Sequence, residues 1–318
     1  MNNIEQYKEL TGGCLLNNKT GKEWDFSAIM GTLQQGTNVE YPVNFRLWSP
    51  CIYNQLSKST CVSYSLSTMK QIQDYYDTNT NTRYSTSFIY LLREMNQYKG
   101  DGMMIAEALE NLRNKGVVPY SLMPDNFNYT EGTTVGVKVG QNQELLDEAK
   151  KHKIANYAIA NTADEIKQSL YINHSPVPIG VIIRESFYNI TNNGVAPIPK
   201  ATEKNYGGHC MLITGWTNIS GKEYWVVQNS WGEDWGDNGY CYLEINSFPI
   251  AEKYIVFDIQ DYPVNITDIS GRWSEEAIIK CIRSGVLSGY QDGTFKPTNP
   301  ITREELASVI VRVLNKIN

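Results

Sequence analysis

The stretch NSWGEDWGDNGYCYL, from Asn229 to Leu243, decides how this chain is read, and the rest is placed outward from it. Just upstream, Tyr224-Trp225-Val226-Val227 reads as a strand that delivers Gln228 and Asn229 to its end. A second strand-like run, Met211-Leu212-Ile213-Thr214, is opened by His209 after Tyr206-Gly207-Gly208. Two adjacent strands would set His209 beside Asn229. In that arrangement the Asn carbonyl orients the imidazole, which takes a proton from a nucleophile and returns it to a leaving amine.

The nucleophile lies far upstream, at Cys61. Val62, Leu66, Met69, Ile72 and Tyr76 recur at helical spacing behind it, and Ser57 and Ser59 offer N-cap oxygens. Cys61 is therefore expected in the first turn of a helix, where unpaired backbone N–H groups and the positive end of the macrodipole favour an anion. Such a location is expected to lower the thiol pKa, and the thiolate is the reactive form. An isolated Cys is ordinarily a small buried hydrophobe, and an isolated Asn before Ser-Trp a turn residue. The order Gln55, Cys61, His209, Asn229 sets those plain readings aside.

With these residues in place, the stretch from about Pro42 to Phe257 resembles the papain-like cysteine peptidases. The carrying residues are Gln55 to Cys61, Gly208-His209-Cys210, and the tryptophan block with Trp231, Gly232, Trp235, Gly236, Gly239 and Tyr240 in register. The resemblance implies an α+β fold of two halves, one helical and one β-barrel-like. It implies Cys61 as nucleophile, His209 as acid/base, Asn229 as its orienter, and Gln55 as an oxyanion-hole amide beside the Cys61 N–H. Trp231 would shield the His209–Asn229 contact from water. The family's upstream cysteine is replaced by Lys58, so the disulfide that it makes is absent here. Asp101-Gly102-Met103-Met104 resembles the loop that presents backbone to the substrate and shapes the pocket for the second residue before the cut. Gly102, Met103, Met104, Gly208 and Trp231 are thus candidate substrate contacts, although the two Met read equally well as core residues opening a helix.

The chain of 318 residues has room for a large core and a second small module, and its net charge of -6 suggests neither a nucleic-acid partner nor a polybasic membrane patch. No apolar run is long enough to span a bilayer, and MNNIEQYKELTGG lacks the character of a secretory signal. Six scattered cysteines and three histidines show no metal-ligand spacing, so no metal and no cofactor is expected. Residues 1–41 are polar and weakly periodic, expected as an extension wrapped on the surface or a pro-segment. Residues 42–262 would form the catalytic domain, and a linker near Gln260–Pro263 would lead to a module at 263–318.

That module carries its own signature: Asp268-Ile269, Trp273, Ala277-Ile278, Gly285-Val-Leu-Ser-Gly-Tyr290, Asp292 to Pro297, and Ile301-Thr302-Arg303-Glu304. Thr302 reads as an N-cap with Glu305 three positions on, and Leu306, Val309, Ile310 and Leu314 give the last helix an apolar face. The pieces resemble an S-layer homology domain, a small all-α unit. The resemblance implies binding to a bacterial secondary cell-wall polysaccharide through Asp268, Trp273, Gly289 and Arg303, since a planar guanidinium grips carboxylates of an acidic glycan. Such domains come in threes, so a trimer is one expectation for a chain with one copy. A peptide or protein substrate and a cell-surface location, bacterial or phage-encoded, complete the expectation. The rival functions are a catalytically silent wall-binding protein and an amidase acting on peptidoglycan peptides.

Overall fold

The computed structural model describes residues 7, 12–16, 24–25, 44–49, 51–78, 80–93, 100–125, 139–190, 193–258, 266, 268–283, 286–287, 290 and 294–317. The helical half is built on α1, Cys61–Thr78, whose inward positions Val62, Leu66, Met69 and Ile72 are fully buried, as the periodicity requires. Its start differs from expectation. Ser57 and Ser59 lie in the bend before the helix, and Thr60 precedes the first turn with its hydroxyl buried and unpartnered. No side-chain cap is therefore spent at this helix start, which leaves first-turn N–H groups free to face Cys61.

Around α1 pack α2, Thr86–Leu92, with Ser85 accepting from the Phe88 N–H at 3.1 Å, and α3, Ile105–Asn114, which follows the Gly102 turn. The short helix α4, Gln143–Ala149, starts at the Asn142 cap, and α5, Ala163–Ile172, opens on a capping box of Thr162 and Glu165.

The other half is one seven-stranded sheet in the order β1-β2-β7-β3-β4-β5-β6. The strands are β1 Trp24–Asp25, β2 Ile154–Ile159, β3 Val177–Arg184, β4 Asn205–Ile219, β5 Lys222–Gln228, β6 Tyr240–Glu244 and β7 Glu252–Asp258. All pairs are antiparallel except β1 with β2. The two strand runs read from sequence are β4 and β5, and they are neighbours, with Leu212 opposite Gln228. His209 lies well inside β4 rather than at its mouth, because pairing with β3 begins at Asn205.

A buried ionic cluster fastens the halves together. Lys70 of α1 reaches Asp258 at the end of β7, 2.9 Å away, and Asp74 one turn on, 2.6 Å away. Burial works against the Lys70 charge, but the two carboxylates outweigh it and hold its pKa above the ordinary lysine value. Tyr84 joins Asp74 to His152 Nδ1, at 2.8 Å from the imidazole. Lys70→Met removes the shared cation and leaves two carboxylates in a poorly hydrated place. The expected cost is about 3–5 kcal/mol, read as a fall in Tm of the order of 10 °C; an unchanged Tm would mean that the cluster contributes nothing.

The C-terminal module has its own small core of Ile266, Ile269 and Ile278, with Phe295 against it. Its helices are α6, Glu275–Arg283, and α7, Arg303–Ile317, and no strand occurs among its described residues. The Thr302 cap is as read: Glu305 N–H donates to its hydroxyl at 3.1 Å, and its own N–H donates to Glu305 at 2.8 Å. Gly289 and the linker near Gln260–Pro263 lie outside the described residues.

Candidate active site

His209 and Asn229 meet as their strands dictate, with His209 Nε2 2.7 Å from Asn229 Oδ1. The Ser230 backbone N–H donates to the same Oδ1 at 2.8 Å, so that atom is an acceptor and Nε2 must carry the imidazole proton. Nδ1 is then the basic nitrogen, and it is buried with no hydrogen-bond partner. Trp231 covers the pair, its ring 4.8 Å from the imidazole and only 2 % exposed.

Cys61 is the first residue of α1, with its own N–H, that of Val62 and that of Cys210 directed at the thiol. One turn further on, Ser65 donates to the Cys210 carbonyl at 3.1 Å and lays the helix against the residue after His209. Gln55 is buried beside them. Its Nε2 donates to the Lys58 carbonyl at 2.7 Å, and its Oε1 accepts from Ser230 at 2.6 Å. Sequence reasoning missed Ser230, because a hydroxyl next to Asn229 carries no spacing signal of its own.

The expected lowering of the Cys61 pKa is not found. Burial pushes the thiol up to about 12, outweighing the backbone N–H groups, and pushes His209 down to about 4 against its bond to Asn229. Both side chains are fully buried. The cause is the N-terminal segment, which runs through the cleft instead of over the surface. Gly12 and Cys14 N–H groups donate to the Gly208 carbonyl at 3.1 and 3.2 Å, Leu15 N–H donates to Met103 O at 3.1 Å, and Met103 N–H donates to Gly13 O at 2.9 Å. A short strand is thus added between the helical half and the sheet half. Tyr7, from the same segment, stacks on Trp231 with ring centroids 5.4 Å apart.

The loop contacts sort accordingly. Gly102 has a φ of +82°, and a Cβ there would fall 2.7 Å from Gly13 O, so glycine is required twice over. Met103 gives its backbone to the segment while its side chain is fully buried in the core, and Met104 is half-buried. No disulfide joins any of the six cysteines. No cluster of His, Cys, Asp and Glu suited to a metal occurs among the described residues.

In the distal module, Asp268 accepts from the Phe295 and Lys296 N–H groups, both at 2.8 Å, so its carboxylate shapes that loop. These N–H bonds hold it below the usual carboxylate range. Trp273 is 98 % exposed, and Arg303 is exposed at the start of α7.

The fully buried His209 predicts a pH dependence of stability. Its folded pKa of about 4 lies below the ordinary value, so the unfolded chain binds more protons between about 6.5 and 4. The contribution is complete above about pH 6.5 and is lost as pH falls through that window, by about 3 kcal/mol. Urea unfolding at pH 7 and pH 4.5, with and without His209→Gln, reads the difference.

A thiol at a helix start, an imidazole based on Nδ1, an orienting amide and a shielding indole define the class of thiol-dependent acyl-transfer sites. The chain belongs to the papain family of cysteine proteases, whose model matches residues 46–256, and an S-layer homology domain model matches residues 265–307. It is 32 % identical over 130 residues to a gut-specific cysteine proteinase of Caenorhabditis elegans, covering 39 % of this chain and 38 % of that one. It is 34 % identical over 85 residues to cathepsin S of Bos taurus, 27 % of this chain and 25 % of that one. The matched region spans 38 % of the first of these relatives and 25 % of the second. Among solved structures, xylellain, a cysteine protease from Xylella fastidiosa, superposes with a TM-score of 0.62 at 19 % identity, over 78 % of this chain and 96 % of that one. Procathepsin B of Trypanosoma congolense gives 0.59 at 17 % identity, over 80 % and 88 %. The papain-like α+β fold is therefore the fold of this chain.

Proposed function

We propose that this chain is a cysteine endopeptidase that hydrolyses peptide bonds through a thioester acyl-enzyme, held latent by its own N-terminal segment. The observation that carries the reading is the bond from His209 Nε2 to Asn229 Oδ1, which leaves Nδ1 as the basic nitrogen in the buried site that also holds the Cys61 thiol, with no hydrogen bond between the two in this closed form. In the open site Nδ1 takes the Cys61 proton, the sulfur attacks the substrate carbonyl, and Gln55 with the Cys61 N–H receives the oxyanion. The imidazolium gives its proton to the leaving amine, and water then releases the acid.

Latency is supported by chain direction. His209 hands its proton to the leaving side, where Trp231 stands, and Met103 belongs to the acyl side. The segment runs from Tyr7 at Trp231 to Leu15 at Met103, whereas a substrate runs from the acyl side to the leaving amine. Residues 1–41 thus act as an inhibitory extension. Labelling by an epoxysuccinyl thiol reagent, with casein and purified sacculi assayed in parallel, tests the whole reading. No label on the folded protein even after the N-terminal segment is displaced, as by Gly13→Val, would support the silent wall-binding protein instead, and cleavage of sacculi alone would support the amidase.

For the C-terminal module we propose attachment at the cell surface, to an acidic wall glycan, with Trp273 and Arg303 as the exposed contacts. Arg303→Ala is expected to weaken co-sedimentation with sacculi about tenfold or more, the scale of one lost charge-assisted pair; equal retention would move the contact elsewhere. Association of three copies is supported by the apolar side of α7, where Leu306, Ile310 and Val311 are 46, 49 and 55 % exposed. Sedimentation equilibrium of the full chain, with and without Ile310→Glu, reads the oligomer directly.

A further inference from the structure

We infer that Cys14 and Cys210 form a redox latch: oxidised by a low-molecular-weight disulfide, they join and make the seating of the N-terminal segment covalent. The inference goes beyond the peptidase reading, because it concerns what fastens the segment rather than what the site cuts. Cys14 is carried by the segment itself. It pairs with Gly208 across an antiparallel bridge, and its N–H donates to the Gly208 carbonyl at 3.2 Å. Cys210 lies two residues further along β4, on the face that Gly208 shares. Cys61 stands close by, since α1 is laid against the Cys210 carbonyl through Ser65 and the Cys210 N–H is directed at the Cys61 thiol. Cys14 is 3 % exposed, and the other two are fully buried.

The three thiols form one cluster. Burial holds the Cys14 thiol well above its ordinary pKa, and Cys210, Cys61 and Glu252 add to the shift in that order. Cys210 is raised in turn by burial and then by Cys61. Cys210 is thus the thiol that Cys14 feels most, which selects the pair. While the segment is seated both stay protonated and inert. Once it lifts, Cys14 stands in water, and its thiolate attacks the small disulfide; a mixed disulfide forms on Cys14 and one small thiol leaves. As the segment settles back, with water still reaching the cleft, the Cys210 sulfur attacks the Cys14 sulfur. The second small thiol departs with the Cys210 proton, and the Cys14–Cys210 bond remains. Two cysteine thiols are oxidised, and one small disulfide is reduced to two thiols. Cys61 is left as a thiol beneath a plug that the protein cannot shed. Even a segment cut from the body then stays in place until a reductant arrives.

The test incubates the full chain with oxidised glutathione, then denatures, alkylates and digests it without reductant for mass mapping. The expected product is a linked Cys14–Cys210 peptide with Cys61 alkylated, and with glutathione on the exposed Cys51 as proof that the oxidant acted. Epoxysuccinyl labelling of Cys61 in the folded, oxidised protein should slow by about tenfold or more, since the cross-link removes the open form, and should recover with dithiothreitol. Cys14→Ala should lose the link and the slowing together. Glutathione on Cys51 with Cys14 unlinked would overturn the latch, and a Cys14–Cys61 link would overturn the choice of Cys210. The link forms without catalysis. A mapped Cys14–Cys210 bond, with no Cys61 labelling in reduced Gly13→Val, would therefore keep the latch and overturn the peptidase reading.

Discussion

Cys61→Ser is expected to lower kcat/KM on any cleavable peptide by about 10⁴-fold or more, the loss seen when one member of a nucleophile–base unit is removed. The substitution keeps volume and hydrogen-bonding capacity nearly unchanged, so the fold should persist and Tm should move little. What changes is acidity. A serine hydroxyl beside Nδ1 holds its proton far more tightly than a thiol does, and this site has no buried carboxylate behind the imidazole to compensate, only the neutral amide of Asn229. Epoxysuccinyl labelling should vanish in parallel. Residual turnover within tenfold of the parent would mean that the chemistry lies elsewhere.

Gly13→Val is expected to do the opposite and raise the rate of Cys61 labelling at least tenfold. A Cβ at Gly13 would fall 2.7 Å from the Ser59 carbonyl carbon, which is backbone and cannot step aside. The segment must then leave its seat, taking with it the pairings to Met103 and Gly208. Uncovering the site should also restore the titrations. In the closed protein the thiol ionises only near pH 12, so labelling climbs with alkaline pH; in the variant the rise should move towards neutrality. Slower labelling with unchanged Tm would show that the segment does not obstruct the site.

The two strands that carry His209 and Asn229 could be read from Met211–Thr214 and Tyr224–Val227 because each is a short apolar run ended by polar chemistry, and adjacent strands place their ends together. The first turn under Cys61 followed from apolar spacing. The cap did not, since Ser57 and Ser59 offer plausible cap oxygens, yet both precede the helix and the residue next to it, Thr60, leaves its hydroxyl unpartnered. Met103 turned inward because tertiary packing took its side chain. The sequence left open that residues 1–41 lie over the cleft, but their exact seat was invisible for a deeper reason: it is held by backbone hydrogen bonds, which leave no side-chain pattern. Its one local mark is Gly12-Gly13, adjacent residues that permit close approach of chains. Missing the segment led directly to the wrong sign for the Cys61 pKa, because burial by residues some fifty positions away outweighed the helix start.

The tether that joins this segment to the body governs how substrate competes with it. Strand β1, at Trp24–Asp25, is paired with Ala158 and Ile159 of β2, so Leu16 is held within eight residues of the sheet edge. A blocking strand on so short a leash is present at an effective concentration of roughly millimolar, whatever the amount of protein. Peptides at micromolar levels therefore meet a competitor about a thousandfold in excess. One cut between Leu16 and Trp24 abolishes that advantage, since the freed strand then dilutes to the bulk concentration of the protein itself.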